Sequence, residues 1–203
     1  MNAVNLIIAQ MELECIGLNS DGLLCRIPGK NPDAIHRLFV VKHDMGYSAF
    51  IREDVSPAVI EKLRMMDPSD LFHDTRLVSG MLYGTRTGSS WAGSAYRFTD
   101  PYPDNGIDMV QYTGSKFVIK INGQDESWAW SSRSNSRCAE LATETAESHR
   151  RNGFATMVSA AWANHQLKKG RIPFYSHKVE NLPSRNLAAC LGVTHFMDCV
   201  SYE

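Results

Sequence analysis

The chain has 203 residues, 43% of them hydrophobic and 21% charged, which suits one large domain, or a compact core with a smaller N-terminal addition. Its 21 Lys and Arg against 22 Asp and Glu leave a formal net charge of −1, so no global electrostatic drive pulls it toward nucleic acid. No stretch approaches the roughly 18 apolar residues of a membrane span, and the apolar run at 5–11 is too short, and too soon followed by Glu12 and Glu14, to be a secretion signal.

The first third reads as mixed α/β. Pro32 stands near the start of an expected helix over 32–43, with Phe39, Val40 and Val41 as its apolar side. Residues 47–52 alternate like a short strand. Ser56-Pro57 is a good helix start, Ser as N-cap and Pro in the first turn, for a helix to Met66 that Asp67-Pro68 ends. A third short helix fits 69–73. From Leu77 the pattern turns to strands, with 80–83 and 95–98 as candidates, and 99–106 is a loop rich in Pro and Asn-Gly.

Residues 117–121 form a clear strand, and Asn122-Gly123 after it is a strong hairpin signal, with 126–132 as the partner strand. A polar loop is expected over 131–136 and the next strand over 137–145. The longest helix spans 153–169, where Phe154, Met157, Val158, Ala161 and His165 repeat at helical spacing. A short strand at 172–176, a helix over 183–191 stopped by Gly192, and one or two strands over 193–202 complete a β-β-β-α-β-α-β order. That order means an α/β fold with a mixed sheet rather than a doubly wound one.

Five cysteines (Cys15, Cys25, Cys138, Cys190, Cys199) include no CxxC pair, so neither a zinc site nor a redox motif is indicated. Their odd number implies reduced thiols in a cytoplasmic protein. No two histidines stand at metal-ligand spacing, and no metal is expected.

The segment from Glu140 to Ala155 carries the chemistry. A strand ends, and a basic, Gly-containing loop opens directly into a long helix. Backbone N–H groups in the first helical turn are unpaired and point outward, and Gly153 and Ala155 keep the approach small. Arg150 and Arg151 add positive charge at the positive end of the helix dipole. A diphosphate suits such a site; the bland alternative is a solvated basic turn.

Arg150-Arg151-Asn152-Gly153-Phe154-Ala155 resembles the pyrophosphate loop of the GNAT N-acetyltransferase superfamily. The run from Asn181 to Gly192 resembles the helix that follows the next strand in that family, and the Asn122-Gly123 hairpin matches the strand pair before the cofactor strand. The resemblance covers about residues 95–203. It implies a GNAT fold, with a mixed, mostly antiparallel sheet whose central strands splay, plus an N-terminal α/β extension. Residues 1–90 would then shape the acceptor side and 91–203 form the acetyl-CoA-binding core.

The resemblance also implies roles. The main chain of Thr143, Glu144 and Thr145 would bond the pantetheine arm as a strand adds to a sheet edge. The amides of Arg151, Asn152, Gly153, Phe154, Ala155 and Thr156 would hold the pyrophosphate, with Arg150 beside them. Asn181 would lie near the thiol end; its other reading is a helix N-cap. The implied reaction is direct transfer of an acetyl group from acetyl-CoA to an amine of a small molecule or protein. Family members are often dimers, so the resemblance allows a homodimer, which these residues do not themselves show.

The tyrosine that protonates the leaving thiolate in many members falls at Ala188 here, and alanine donates no proton. Tyr175, His177 and Ser184 are the nearby alternatives. Glu140 and Glu144, four apart on one strand, share a face if no bulge intervenes, and are candidate bases. Glu140 has the alternative of a salt-bridged strand carboxylate, with Arg137 as partner. His149 flanks the phosphate loop as a surface residue or phosphate contact, and His165 reads as a packed histidine. Trp128 and Trp130 point to one side of their strand, as core or as cleft lining, and Tyr96 and Phe98 pose the same choice. The missing tyrosine keeps open a non-catalytic CoA-binding regulatory module. A toxin-type acetyltransferase acting on aminoacyl-tRNA would need a basic face, to which Arg133, Arg137, Arg150 and Arg151 would contribute.

Overall fold

The structure, a computed structural model, describes residues 2–14, 16–29, 36–84, 88–103 and 109–203. The described elements in chain order are α1 (Ala3–Leu13), β1 (Ile16–Leu18), β2 (Leu24–Arg26), β3 (Leu38–His43), β4 (Gly46–Ile51), α2 (Pro57–Met65), α3 (Pro68–His73), α4 (Thr75–Tyr83), β5 (Ser90–Arg97), β6 (Gln111–Tyr112), β7 (Lys116–Ile121), β8 (Gln124–Ser134), β9 (Cys138–Thr145), α5 (Phe154–Lys168), β10 (Ile172–Lys178), α6 (Leu182–Leu191) and β11 (Thr194–Tyr202). This mixed α/β chain divides into two compact units, Met1–Ala95 with Phe196–Glu203, and Tyr96–His195. Residues 91–95 and 196–203 of the expected 91–203 core therefore fall in the first unit.

In the first unit the strand order is β4-β3-β11-β5. β3 pairs antiparallel with β4 from Leu38↔Ile51 to His43↔Gly46, and with β11 from Tyr202↔Leu38 to Asp198↔Lys42. Its run Leu38-Phe39-Val40-Val41 is buried throughout, as a strand with neighbours on both sides requires. This corrects the helix expected over 32–43. The apolar run is a continuous, β-branched strand pattern, and 30–35 lie outside the described residues. Leu38, Val40, Ile51, Leu63, Leu71, Val78, Val200 and Tyr202 form the core, with α2, α3 and α4 supplying Leu63, Leu71 and Val78.

The strand expected at 80–83 is instead the end of α4. The Asp74 carboxylate accepts from Leu77 N–H at 2.9 Å and starts that helix, and Gly84 ends it with φ 60°. α1 is a helix the composition did not announce. Asn2 caps it, and Leu6, Ile7, Ala9, Met11 and Leu13 are buried on it. Among the described residues, no helix is long and apolar enough to cross a membrane.

In the second unit the order is β10-β9-β8-β7-β6, parallel between β10 and β9 and antiparallel between the other neighbours. Asn122 (φ 53°) and Gly123 (φ 81°) form the tight β7–β8 turn, closed by the pair Ile121↔Gln124; both residues sit in the left-handed region such a hairpin demands. β8 runs on to Ser134, so most of the loop expected at 131–136 is strand, with a bulge between Ser131 and Arg133. α5 covers one face. Val158, Ala161 and Trp162 pack on Phe117, Ile119, Ala129, Ala139 and Leu141, and the Trp162 indole N–H donates to Ser131 Oγ at 3.0 Å. The loop at 99–103 is pinned to α5 by Asn164, which accepts from Tyr102 N–H and donates to Tyr102 O; Asn105-Gly106 lies outside the described residues.

Candidate functional site

β9 and β10 pair over three positions only, from Ile172↔Cys138 to Phe174↔Glu140. Beyond these β9 continues to Thr145 and β10 to Lys178 with no pairing between them. Where the strands part, a cleft of about 1050 Å³ opens within the second unit, bounded by β9, the loop after it, the first turn of α5 and one side of α6.

Strand alternation shows which main-chain groups β9 turns to the cleft. Ala146 N–H donates to Glu126 O at 2.8 Å, which makes Ser127↔Thr145 and Ala129↔Thr143 the non-hydrogen-bonded pairs of the β8–β9 ladder. The N–H and C=O of Thr143 and Thr145 therefore point away from β8, into the gap. The Glu144 main chain points the other way; its carbonyl accepts from Ser127 Oγ at 3.2 Å. Of the three residues expected to bond the pantetheine arm, two present main-chain groups to the cleft. Glu144 presents its exposed side chain.

The loop after β9 makes a short 3-10 turn, Glu147–His149, then places Arg151 (φ 65°) and Gly153 (φ 79°) in the left-handed region. Left-handed residues in a turn aim successive N–H groups to one side, as anion-binding loops do. Gly153 is the N-cap of α5 and has no side chain to cap with, and among the described residues the N–H groups of Phe154, Ala155 and Thr156 have no acceptor. A methyl group added at Gly153 would meet nothing within 4 Å, so the space in front of the helix end is open. Arg150 is tied back, its Nε donating to Thr145 O at 3.4 Å. Among the described residues the exposed Arg151 guanidinium has no hydrogen-bond or ion-pair partner. His149 is held by Glu126 at 3.0 Å and stacks on Phe154.

Every residue expected at the cofactor lines this cleft except Asn152. Asn181 lines it and also caps α6, its side chain accepting from Ser184 N–H at 3.2 Å. Leu182, Pro183, Asn186, Leu187 and Cys190 line the cleft too. The sequence reading missed them, although their spacing of three and four along α6 marks one helix face.

The acid and base candidates separate. Glu140 is 6% exposed and is not part of the cleft wall; it accepts a hydrogen bond from Ser176 Oγ and faces Arg133 Nη1 at 3.6 Å. It shares a strand face with Glu144, because the bulge falls on β8 and leaves β9 regular. Ala188 is 4% exposed, packed in the core beneath α6. Tyr175 lines the cleft and donates to Ser184 O at 3.3 Å, and burial pushes its phenol pKa up. His177 is buried outside the cleft, between Lys178 O and Tyr96 OH.

Trp128 and Trp130 are half-buried on the sheet face away from α5, with Lys116 Nζ 5.9 and 5.3 Å from their rings; Trp128 reaches the cleft. Phe98 is core and Tyr96 half-buried. His165 sits against Tyr112 and Phe117, half-buried.

No curated protein matches the chain. Among solved structures, similarity extends to a GCN5-related N-acetyltransferase-like protein from Streptococcus suis (17% identity, 85% of this chain and 84% of that one, TM-score 0.48). A GCN5-related N-acetyltransferase from Kribbella flavida is 12% identical over 100% of this chain and 95% of that one, with TM-score 0.45. A GNAT-family protein from Novosphingobium aromaticivorans is 12% identical over 56% of this chain, with TM-score 0.45, and the match spans 64% of that protein, less than two thirds of its length. The family model described as GNAT acetyltransferase matches residues 106–198, the segment that holds the hairpin, the parted strands, the left-handed loop and α6. Over those residues, a little under half of the chain, the sequence is similar to the GNAT acetyltransferase family.

Proposed function

We propose that the protein is an acyl-CoA-dependent N-acyltransferase that moves an acetyl group from acetyl-CoA to an amine of a small molecule or protein. One observation carries the reading: a strand edge without a strand partner leads directly into a loop with two left-handed residues and an uncapped helix end, all on one cleft. The two halves of that arrangement fit the two halves of coenzyme A. An amide-bearing arm suits the Thr143 and Thr145 edge, and a diphosphate suits the open N–H groups beside Arg151.

Bound acetyl-CoA supplies a thioester, an acyl group already activated toward an amine. The chain's own residues supply the rest. Thr143 and Thr145 orient the arm, and the first turn of α5 with Arg151 holds the phosphate charge. Of the two candidate β9 carboxylates, Glu144 stands on the cleft wall and is placed to take the proton the amine loses, while Glu140 is buried off that wall beside Ser176 and Arg133. Holding both reactants in the cleft contributes much of the acceleration.

The alanine at 188 favours a second reading, a CoA-binding module without turnover. Incubation with acetyl-CoA and a panel of primary amines and peptides separates the two. Amide product by mass spectrometry, matched by free thiol, supports the enzyme. Tight binding with no product across the panel supports the module, and absence of binding defeats both.

A further inference from the structure

We propose that Tyr175 of β10 is the proton donor to the leaving sulfur, a role that position 188 of α6 cannot fill; this rests on the acyl-transfer reading above. The chemistry sets the requirement. When the C–S bond breaks, its electron pair stays on sulfur, and that thiolate takes a proton from an acid on the cleft wall. The acid must reach into the gap between β9 and β10, because that gap is where an arm aligned on Thr143 enters.

Tyr175 is the first residue of β10 beyond the last β9–β10 pair. Its ring is 4% exposed and packed in the core cluster, which fixes its position, while the residue still forms part of the cleft wall. Its hydroxyl hydrogen rests on Ser184 O at 3.3 Å, a long bond, and rotation about the C–O bond redirects the hydrogen into the cleft. Burial disfavours the phenolate, so the phenol keeps its proton in the resting cleft and passes it to the sulfur only as the proton shed by the acylated nitrogen replaces it. The ionisable groups ranged around it are Tyr96 of β5, His177 on its own strand, Cys190 of α6, and Glu144 and Arg151 across the cleft.

The other two candidates fit less well. His177 is outside the cleft with both ring nitrogens engaged, and the Ser184 hydroxyl is a far weaker acid than a phenol. The balance closes within the reaction: the phenol O–H bond breaks, an S–H bond forms, and the phenolate is reprotonated by the proton that the acylated nitrogen sheds.

The test uses coenzyme A itself, so it needs no knowledge of the acceptor. Affinities for CoA and for desulfo-CoA are measured by calorimetry from pH 7 to 9.5, on the native chain and on Tyr175→Phe, which keeps the packed ring. A phenol donating to sulfur makes the native chain gain roughly tenfold in CoA affinity as the thiol ionises, relative to desulfo-CoA. Tyr175→Phe should lose that gain and leave desulfo-CoA binding unchanged. If the native chain shows no gain over desulfo-CoA, or Tyr175→Phe keeps it, the assignment is wrong while the acyl-transfer reading stands. If neither ligand binds the folded native chain, that reading fails and takes the assignment with it. With an accepted amine, Tyr175→Phe should also lower kcat about a hundredfold with KM for acetyl-CoA unchanged.

Discussion

Arg151 combines three properties that rarely coincide without a ligand to explain them: it is exposed, left-handed at φ 65°, and partnerless among the described residues. A residue with a Cβ in that conformation costs about 1–2 kcal/mol, and glycine removes the cost while losing about 0.5–1 kcal/mol in chain entropy. Arg151→Gly should therefore stabilise the unliganded protein by about 0.5–1 kcal/mol, a rise in Tm of about 1–3 °C. Arg151→Ala keeps the strain and touches no contact, so its Tm should stay near that of the native chain. Both variants remove a charge from the loop proposed to hold the phosphates. A charge-assisted hydrogen bond contributes about 1.5–3 kcal/mol, so CoA affinity should fall by roughly 10- to 150-fold in both, and less in Arg151→Lys. Thermal melts without ligand and calorimetry with CoA read the two effects separately. A glycine variant that melts below the alanine variant would refute the strain argument, and equal CoA affinity in all four proteins would refute the assignment of Arg151 to the phosphate.

Tyr102→Phe removes the bond from its hydroxyl to Leu191 O at 2.5 Å and should cost about 1 kcal/mol, read as a fall in Tm of about 2–4 °C. Burial pushes the Tyr102 pKa up to about 12, so its contribution is whole below pH 10 and is lost as pH rises from 10 toward 12; the alkaline loss of stability should be shallower in the variant. Burial, with Lys169, Arg171 and Lys168 beside it, holds the His165 pKa below 6.5. Its neutral form favours folding, so stability falls as pH drops through 6.5, and His165→Gln should flatten Tm against pH in that range; an unchanged slope would mean that His165 is not the group responsible.

What the sequence disclosed and what it hid follow from the range of the interactions. The Asn122-Gly123 turn, the Ser56-Pro57 helix start and the Gly192 stop are local chemistry, and each stands within a residue or two of where the sequence put it. β3 was misread because Phe39, Val40 and Val41 look alike as a helix stripe or as a strand buried on both faces; pairing with β4 and β11 decides, and that is long-range. The run at 80–83 reads as a short strand, yet Asp74 had already started a helix six residues earlier. In the site, loop and helix positions were legible as one contiguous motif. The partners of Glu140, namely Arg133 across a bulge and Ser176 on another strand, were not, and neither was the face of the sheet that Trp128 would occupy.

The central claim is that the second unit holds acetyl-CoA against the loop at 150–156, and calorimetric titration of acetyl-CoA into the native chain and Gly153→Glu tests it directly. Glutamate at φ 79° costs about 1–2 kcal/mol, so melting first establishes that the variant is folded. Its side chain enters open space at the helix end and sets a negative charge against the phosphates. Micromolar binding by the native chain, abolished in the variant, is the predicted result. Absence of binding by the folded native chain, or equal binding by both, would contradict the account.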